Sequence, residues 1–326
     1  MNYLIFGGGG FIGAHLAKYI AKQGTLVENI YSLDINNKKN VYSTYTHCDV
    51  RQPVKLDLAE VSSSIIFNLA AVHATPGHAD HEYFETNIFG AENVCNFARE
   101  NKINTIVFTS SIAPYGVSED SKTEDTLPLP NTPYGISKLT AEYIHKVWQA
   151  EDLANRKLII TRPGVVFGKN EGGNFTRLYS SLKKGLFFYP GRKNTIKAAI
   201  YVKDMVRILF DMPVYEVPGV ITLNLTLFPA PSIEEICETI ARVTKVKEPE
   251  IVVSPNTLKV AAGLLYSASR ILGKKFNGIH PDRVKKLMVS TNVSGEKLSQ
   301  TRYKLKYTLE ESISDWFNEC DRKGLF

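Results

Sequence analysis

Apolar and polar positions follow two different periods along the first half of the chain. Short runs rich in Val, Ile, Leu and Phe predict strands at Tyr3–Phe6, Val27–Leu33, Ser64–Asn68, Thr105–Thr109 and Leu158–Thr161. Between them, apolar residues recur every three or four positions and predict helices at Gly10–Gln23, Ala91–Asn101 and Tyr134–Glu151. Strands alternating with helices imply an α/β fold, a doubly wound parallel sheet with helices on both faces. A further run, Ile221–Leu225, is expected to return to that sheet. This organisation assigns residues 1–168 to the sheet domain, with returning segments near 196–225, and 169–326 mainly to a smaller C-terminal lobe. Ser232 with Glu235 has the spacing of a capping box that opens a helix. The Pro-rich stretches 127–133 and 228–231 read as loops.

Composition narrows the class without deciding it. The chain has 326 residues, 44% hydrophobic and 22% charged, as expected for a folded globular protein. Its apolar runs fall far short of the roughly 20 residues that a membrane-spanning helix needs. The N-terminus enters a strand pattern with no basic leader, so no secretory signal is expected. Cys48, Cys95, Cys237 and Cys320 are widely spaced and read as reduced thiols of a cytoplasmic protein. Charge changes the picture more. The net charge is +6, but residues 1–165 hold 14 basic and 17 acidic side chains, whereas the window 257–306 holds 11 basic and 2 acidic ones. A local basic field suits a phosphorylated substrate, an acidic membrane surface or nucleic acid. A solvated basic face has the same composition.

Residues 7–13 read GGGGFIG, directly after the first strand and at the start of the first helix. Gly7, Gly10 and Gly13 permit a tight turn and the close approach of a pyrophosphate to the backbone from Gly7 to Gly13, Phe11 and Ile12 included. Asp34 ends the second strand. An acid there can accept hydrogen bonds from an adenosine ribose and repels a ribose phosphate, which favours NAD over NADP; Lys38 and Lys39 pull the other way.

Residues 108–116 read FTSSIAPYG and residues 134–138 read YGISK. On a helix, Tyr134 and Lys138 share one face. Ser111 follows the fifth strand, at the sheet edge where α/β folds bind ligands. A phenol has a pKa near 10, and a nearby ammonium favours its phenolate. Tyr134 is then a base for a substrate hydroxyl that Ser111 holds while hydride leaves the same carbon.

With the glycine loop, this pattern resembles the extended short-chain dehydrogenase/reductase family, the NAD-dependent epimerases and dehydratases. The resemblance covers nearly the whole chain and is strongest over residues 1–205. It implies a Rossmann-type fold and an adenine contact at Asp49-Val50. It also implies a cofactor-side loop at Leu69-Ala70-Ala71, a structural Asn87, and Tyr134, Lys138, Pro163 and Val165 facing the cofactor. His73 aligns near the pyrophosphate. His73, His78 and His81 are irregularly spaced, and the family chemistry needs no metal, so no metal site is expected. Family 4,6-dehydratases carry an Asp-Glu pair directly after the serine or threonine. Here Ile112 and Ala113 stand there, so no acid is placed to protonate a leaving hydroxyl.

Segments RPGVVFGKNEGGNFTR (162–177) and YPGRKNTIKAAIYVKD (189–204) resemble the sugar-nucleotide epimerase branch. That resemblance places Asn174 at the substrate pyrophosphate and Arg192, Lys193 and Lys197 at a basic clamp, with Arg283 a further candidate. Each could also be a plain surface charge. Residues 257–276, TLKVAAGLLYSASRILGKKF, put Leu258, Ala261, Ala262, Leu265, Ala268, Ser269 and Leu272 on one helical face with basic flanks. Such a helix suits a membrane interface, and equally a buried lobe helix. Residues 257–286 resemble the C-terminal part of bacterial 4-epimerases of undecaprenyl-pyrophosphate-linked N-acetylglucosamine.

The expectation is an NAD-dependent 4-epimerase of a pyrophosphate-linked amino sugar carried on a polyprenol, and the alternative is the same chemistry on a soluble nucleotide sugar. A 4-keto-sugar reductase is a third reading. The resemblance also implies a role in surface polysaccharide synthesis, a homodimer through helices near 81–100 and 134–152, and attachment to the cytoplasmic face of the inner membrane. No nucleic-acid module is recognisable.

Overall fold

Seven strands form the central sheet and all run parallel, in the order β11-β7-β5-β4-β1-β2-β3, where β1 is Tyr3–Phe6, β2 Ile30–Asp34, β3 Thr44–His47, β4 Ile65–Asn68, β5 Thr105–Thr109, β7 Lys157–Pro163 and β11 Gly219–Leu225. The computed structural model describes residues 1–38, 40–58, 60–73, 77–254, 256–257 and 288–326. The basic apolar stretch 258–276 and Arg283 therefore lie outside the described residues.

A parallel sheet is covered on both faces, so its strands are apolar throughout rather than alternating. The two-residue period still sorts side chains. Leu4, Phe6, Ile66, Ile106 and Phe108 enter one hydrophobic cluster, with residues of α3 (Gly90–Glu100) and α4 (Pro133–Ala150). Ile5, Phe67 and Val107 enter the other, with α1 (Phe11–Lys22) and α6 (Val202–Tyr215). That second cluster continues without a break through Phe175, Tyr179, Ile236, Ile240, Ile313 and Trp316. These belong to α5 (Asn174–Lys183), α7 (Ile233–Thr244) and the last helix, Leu309–Glu319. The strand order reverses between β1 and β4, which opens a crevice at their carboxyl ends.

Three short parallel ribbons frame the sheet's carboxyl edge. β8 (Val165–Phe167) pairs with β10 (Ala199–Tyr201), β9 (Tyr189–Pro190) with β12 (Val252–Val253), and β6 (Ser118–Lys122) with β13 (Thr291–Val293). The expected capping box opens α7: Glu235 N donates to Ser232 Oγ at 3.2 Å, and Ser232 N donates to Glu235 Oε2 at 2.7 Å.

Two local expectations are corrected. Val27–Asn29 is a 3₁₀ turn and the strand begins at Ile30. Val27 faces solvent, so its β-branched side chain has no sheet to pack on. The helix expected from Ala91 begins at Gly90 and continues a π-helical turn, Glu85–Phe89.

Candidate active site

The glycine loop occupies one side of the crevice. Gly7 has φ +78°, and a Cβ there would lie 2.8 Å from Ala70 N. A Cβ on Gly13 would lie 2.6 Å from Gly7 O, so the helix can approach the turn only with glycine at that position. Gly10 caps α1 without a side chain, which leaves the first N–H groups of the helix for a ligand. Asp34 is fixed beside them: its Oδ2 accepts from Gly9 N at 3.0 Å and its Oδ1 from Asn36 N at 2.9 Å. This cradle fits a dinucleotide, with pyrophosphate at the helix start and a ribose hydroxyl at Asp34.

The opposite wall is the loop after β4. Asn87, in the π-helical turn, accepts from Val72 N at 2.9 Å, donates to Val72 O at 3.1 Å and donates to Ser137 Oγ at 2.9 Å. It ties Leu69-Ala70-Ala71 to α4. His73 ends this loop, exposed, with its ring bonded to the backbone of Ala71. Asp49 is engaged by the Arg51 guanidinium at 2.7 Å, which holds its carboxyl below the usual range, and Val50 packs onto Gly90. His78 pairs with Glu82 at 2.9 Å.

Thr132 caps α4 by accepting from Gly135 N at 3.0 Å. Gly135 lets the first turn press against Ala113 O, where a Cβ would come to 2.7 Å. That contact brings Tyr134 to the loop of Ser111, whose hydroxyl acts on the Tyr134 hydroxyl. Ser111 Oγ also accepts from Ala113 N at 3.1 Å. Burial raises the Tyr134 pKa, and Ser111 opposes that rise. Lys138 is 2% exposed; it donates to Thr109 O at 2.7 Å and lies 4.3 Å over the Phe108 ring. Burial pushes its pKa down to about 7, against the pull of Glu142.

Sequence reasoning missed the support behind these residues. Glu142 is fully buried and accepts from Ser110 Oγ at 2.6 Å and from Arg162 Nη2 at 2.6 Å. Arg162 Nη1 donates to Tyr115 OH at 2.7 Å, and that hydroxyl donates to Asn224 at 2.9 Å. The network locks both ends of the segment 110–115 that carries Ser111. A signal existed: Glu142 lies one further helical step beyond Tyr134 and Lys138.

On the substrate side, Pro163 O accepts from Ile112 N at 3.2 Å, and Val165 N donates to Ala198 O at 2.9 Å. Both therefore flank the serine loop. Asn174 is exposed at the start of α5 and accepts from Arg177 at 3.1 Å. The expected three-cation clamp is only partly assembled. Arg192 and Lys197 both face Glu119, whereas Lys193 turns away to Glu234 at 3.0 Å and to the Tyr189 ring.

The chain is 27% identical over 314 residues to N-acetyl-alpha-D-glucosaminyl-diphospho-ditrans,octacis-undecaprenol 4-epimerase of Escherichia coli O157:H7, covering 96% of this chain and 93% of the relative. Its fold matches UDP-glucuronic acid 4-epimerase from Bacillus cereus in complex with NAD, with TM-score 0.72, 17% identity and coverage of 98% and 99%. It matches UDP-N-acetylglucosamine 4-epimerase from Bacillus cereus with TM-score 0.72, 19% identity and the same coverage. The family model described as NAD dependent epimerase/dehydratase family matches residues 3–213. Because that match spans more than half of the chain, the protein belongs to the NAD dependent epimerase/dehydratase family, and it is an NAD-dependent epimerase.

Proposed function

We propose that the protein inverts C4 of an N-acetylhexosamine carried on a polyprenyl pyrophosphate, in surface polysaccharide synthesis. The observation that carries the chemistry is the juxtaposition of Tyr134 with the Ser111 loop, made by the contact of Gly135 with Ala113, with Ile112 and Ala113 where an eliminating enzyme needs acids. Bound NAD supplies a reversible acceptor for the hydride at C4. Ser111 holds the 4-hydroxyl oxygen and Tyr134 takes its proton. When the keto sugar has turned over, the hydride is returned to the other face of C4 and Tyr134 gives the proton back to the same oxygen. Asn87 and the Glu142–Arg162 pair keep the two walls of the crevice in place throughout.

The full-length likeness to the undecaprenol-linked 4-epimerase supports the lipid carrier, as does the basic stretch 257–306. Among the described residues no helix is long and apolar enough to cross a membrane. We assign access to a lipid substrate to residues 257–286, whose basic charge suits an anionic cytoplasmic membrane surface. A homodimer fits an exposed apolar row on α4, Ile136, Tyr143 and Val147. A second reading keeps the chemistry and exchanges the carrier for UDP; the fold shared with UDP-N-acetylglucosamine 4-epimerase favours it.

The test is incubation with undecaprenyl-pyrophosphate-linked and UDP-linked N-acetylglucosamine, without added cofactor, followed by sugar analysis. Epimerisation of the lipid-linked sugar alone is expected. Turnover of only the UDP sugar would select the second reading, and a requirement for stoichiometric reduced cofactor would make the protein a reductase.

A further inference from the structure

We propose that Glu119 is a tethered occupant of the substrate's diphosphate site. Its carboxylate fills an anion cradle made by Arg192, Ser290 and Lys197, and the incoming diphosphate displaces it. This rests on the reading that Arg192 and Lys197 face the pyrophosphate of the substrate.

The cradle is built rather than accidental. Its floor is Thr195 and Ser290, both with no exposure to solvent. Arg192 Nε donates to Thr195 Oγ1 at 3.3 Å and its Nη2 donates to Ser290 Oγ at 3.2 Å and to Glu119. Ser290 N donates to Glu119 Oε1 at 3.2 Å and Ser290 Oγ donates to Glu119 Oε2 at 2.8 Å. Lys197 stands at the rim, its Nζ donating to Val289 O at 2.7 Å, close enough for its charge to act on Glu119. These are the donors a phosphate oxygen needs: a guanidinium, a hydroxyl, a backbone N–H and an ammonium.

The occupant can leave. The Glu119 side chain is 55% exposed, so rotation carries it into water rather than into the core. A departure without replacement would strand the buried Ser290 N–H and hydroxyl, which is costly, so exchange for another anion is favoured over simple opening. The Arg192 guanidinium holds the Glu119 carboxyl at a pKa of about 2, so the occupant stays charged at any working pH. The cradle also lies beside the chemistry. Lys197 precedes Ala198, which packs in one cluster with Ile112, Tyr115 and Val293, and Ile112 follows Ser111.

A carboxylate brings one negative charge and a diphosphate diester brings two. Glu119 therefore sets a threshold that a diphosphate passes and a single phosphodiester does not. It is a specificity residue, acting by competition and not by contact with the sugar.

The experiment is calorimetric titration of inorganic pyrophosphate into the full chain saturated with NAD, at low ionic strength, for the wild type, Glu119→Gln and Glu119→Ala. Both variants should bind pyrophosphate on the order of tenfold more tightly, the size of one charge-assisted competitor removed. Adding Arg192→Gln to either should abolish the gain. Dimethyl phosphate should bind only to the Glu119 variants. Unchanged or weaker pyrophosphate binding in the Glu119 variants would overturn the proposal and make Glu119 a strap between β6 and β13. Glu119→Gln keeps the shape of the side chain and safeguards the test against misfolding of Glu119→Ala. The titration needs no turnover. A chain that shows the gain but epimerises no sugar sinks the epimerase reading alone, and one that epimerises without the gain sinks this inference alone.

Discussion

Tyr134 is the residue on which the chemistry turns. Tyr134→Phe keeps the ring beside Tyr83, at 6.1 Å, and removes only the hydroxyl on which Ser111 acts. The variant should fold and bind NAD normally, yet lose turnover by about 10²- to 10⁴-fold. Near-normal turnover, measured with NAD binding in the same sample, would remove Tyr134 from the mechanism. His145 makes a second residue-scale prediction. It is fully buried, stacks on Phe108 at 4.2 Å, donates from Nδ1 to Ala141 O at 2.7 Å and meets Asn68 Nδ2 at 3.2 Å. Burial, reinforced by the nearby Lys138, pushes its pKa down to about 4. The unfolded chain protonates this ring near pH 6.5 and the folded chain does not, so unfolding gains a proton between those values. The stability in question is present above pH 6.5 and is lost as pH falls towards 4, about 3 kcal/mol in all. His145→Gln should flatten that limb of the stability curve. Parallel wild-type and variant curves in denaturant melts would refute the assignment.

At the scale of elements, legibility follows burial. β1, β4 and β5 are buried on both faces, so their apolar runs stand out in the sequence. β3, Thr44–His47, has no buried residue and sits at the sheet edge, so nothing in its composition marks it. The same contrast holds in the site. Tyr134 and Lys138 share one helix and were legible from spacing. The partners of Arg192 were not: Glu119 and Ser290 lie 73 and 98 residues away, and pairing of distant segments, the β6–β13 ribbon among them, brings them together. One helix face remains to be accounted for. Ile136, Tyr143 and Val147 are 43%, 55% and 59% exposed along a single stripe of α4. Light scattering should give a dimer, and Ile136→Glu with Val147→Glu should give a folded monomer that still binds NAD. A wild-type monomer at micromolar concentration would refute the assigned interface.

The whole molecule carries its charge unevenly, net −3 over residues 1–165 and +9 over residues 257–306. A lipid-linked sugar stays in its bilayer, because each methylene brought into water costs about 0.8 kcal/mol. An enzyme that acts on such a carrier, as proposed, comes to the surface, where each Lys or Arg contributes about 1 kcal/mol near anionic lipid, screened by salt. Vesicle sedimentation should show binding that requires anionic lipid and weakens at high ionic strength. Leu265→Glu with Leu272→Glu should abolish it and leave NAD affinity intact. Indifference of the wild type to anionic vesicles would return the stretch to the lobe core.

The β6–β13 ribbon also has a consequence for biosynthesis. Ser118 pairs with Thr291, so the segment following Ser111 waits for a partner from near the end of the chain. Domains generally form from the N-terminus as the polypeptide emerges, and pairings between distant segments come late. On the ribosome, the glycine loop, β4 and α4 should be in place well before Ser290 arrives to complete the diphosphate cradle. A growing chain would then acquire its coenzyme first and its sugar-phosphate grip later, so that catalysis switches on only after Ser290 and Thr291 have emerged.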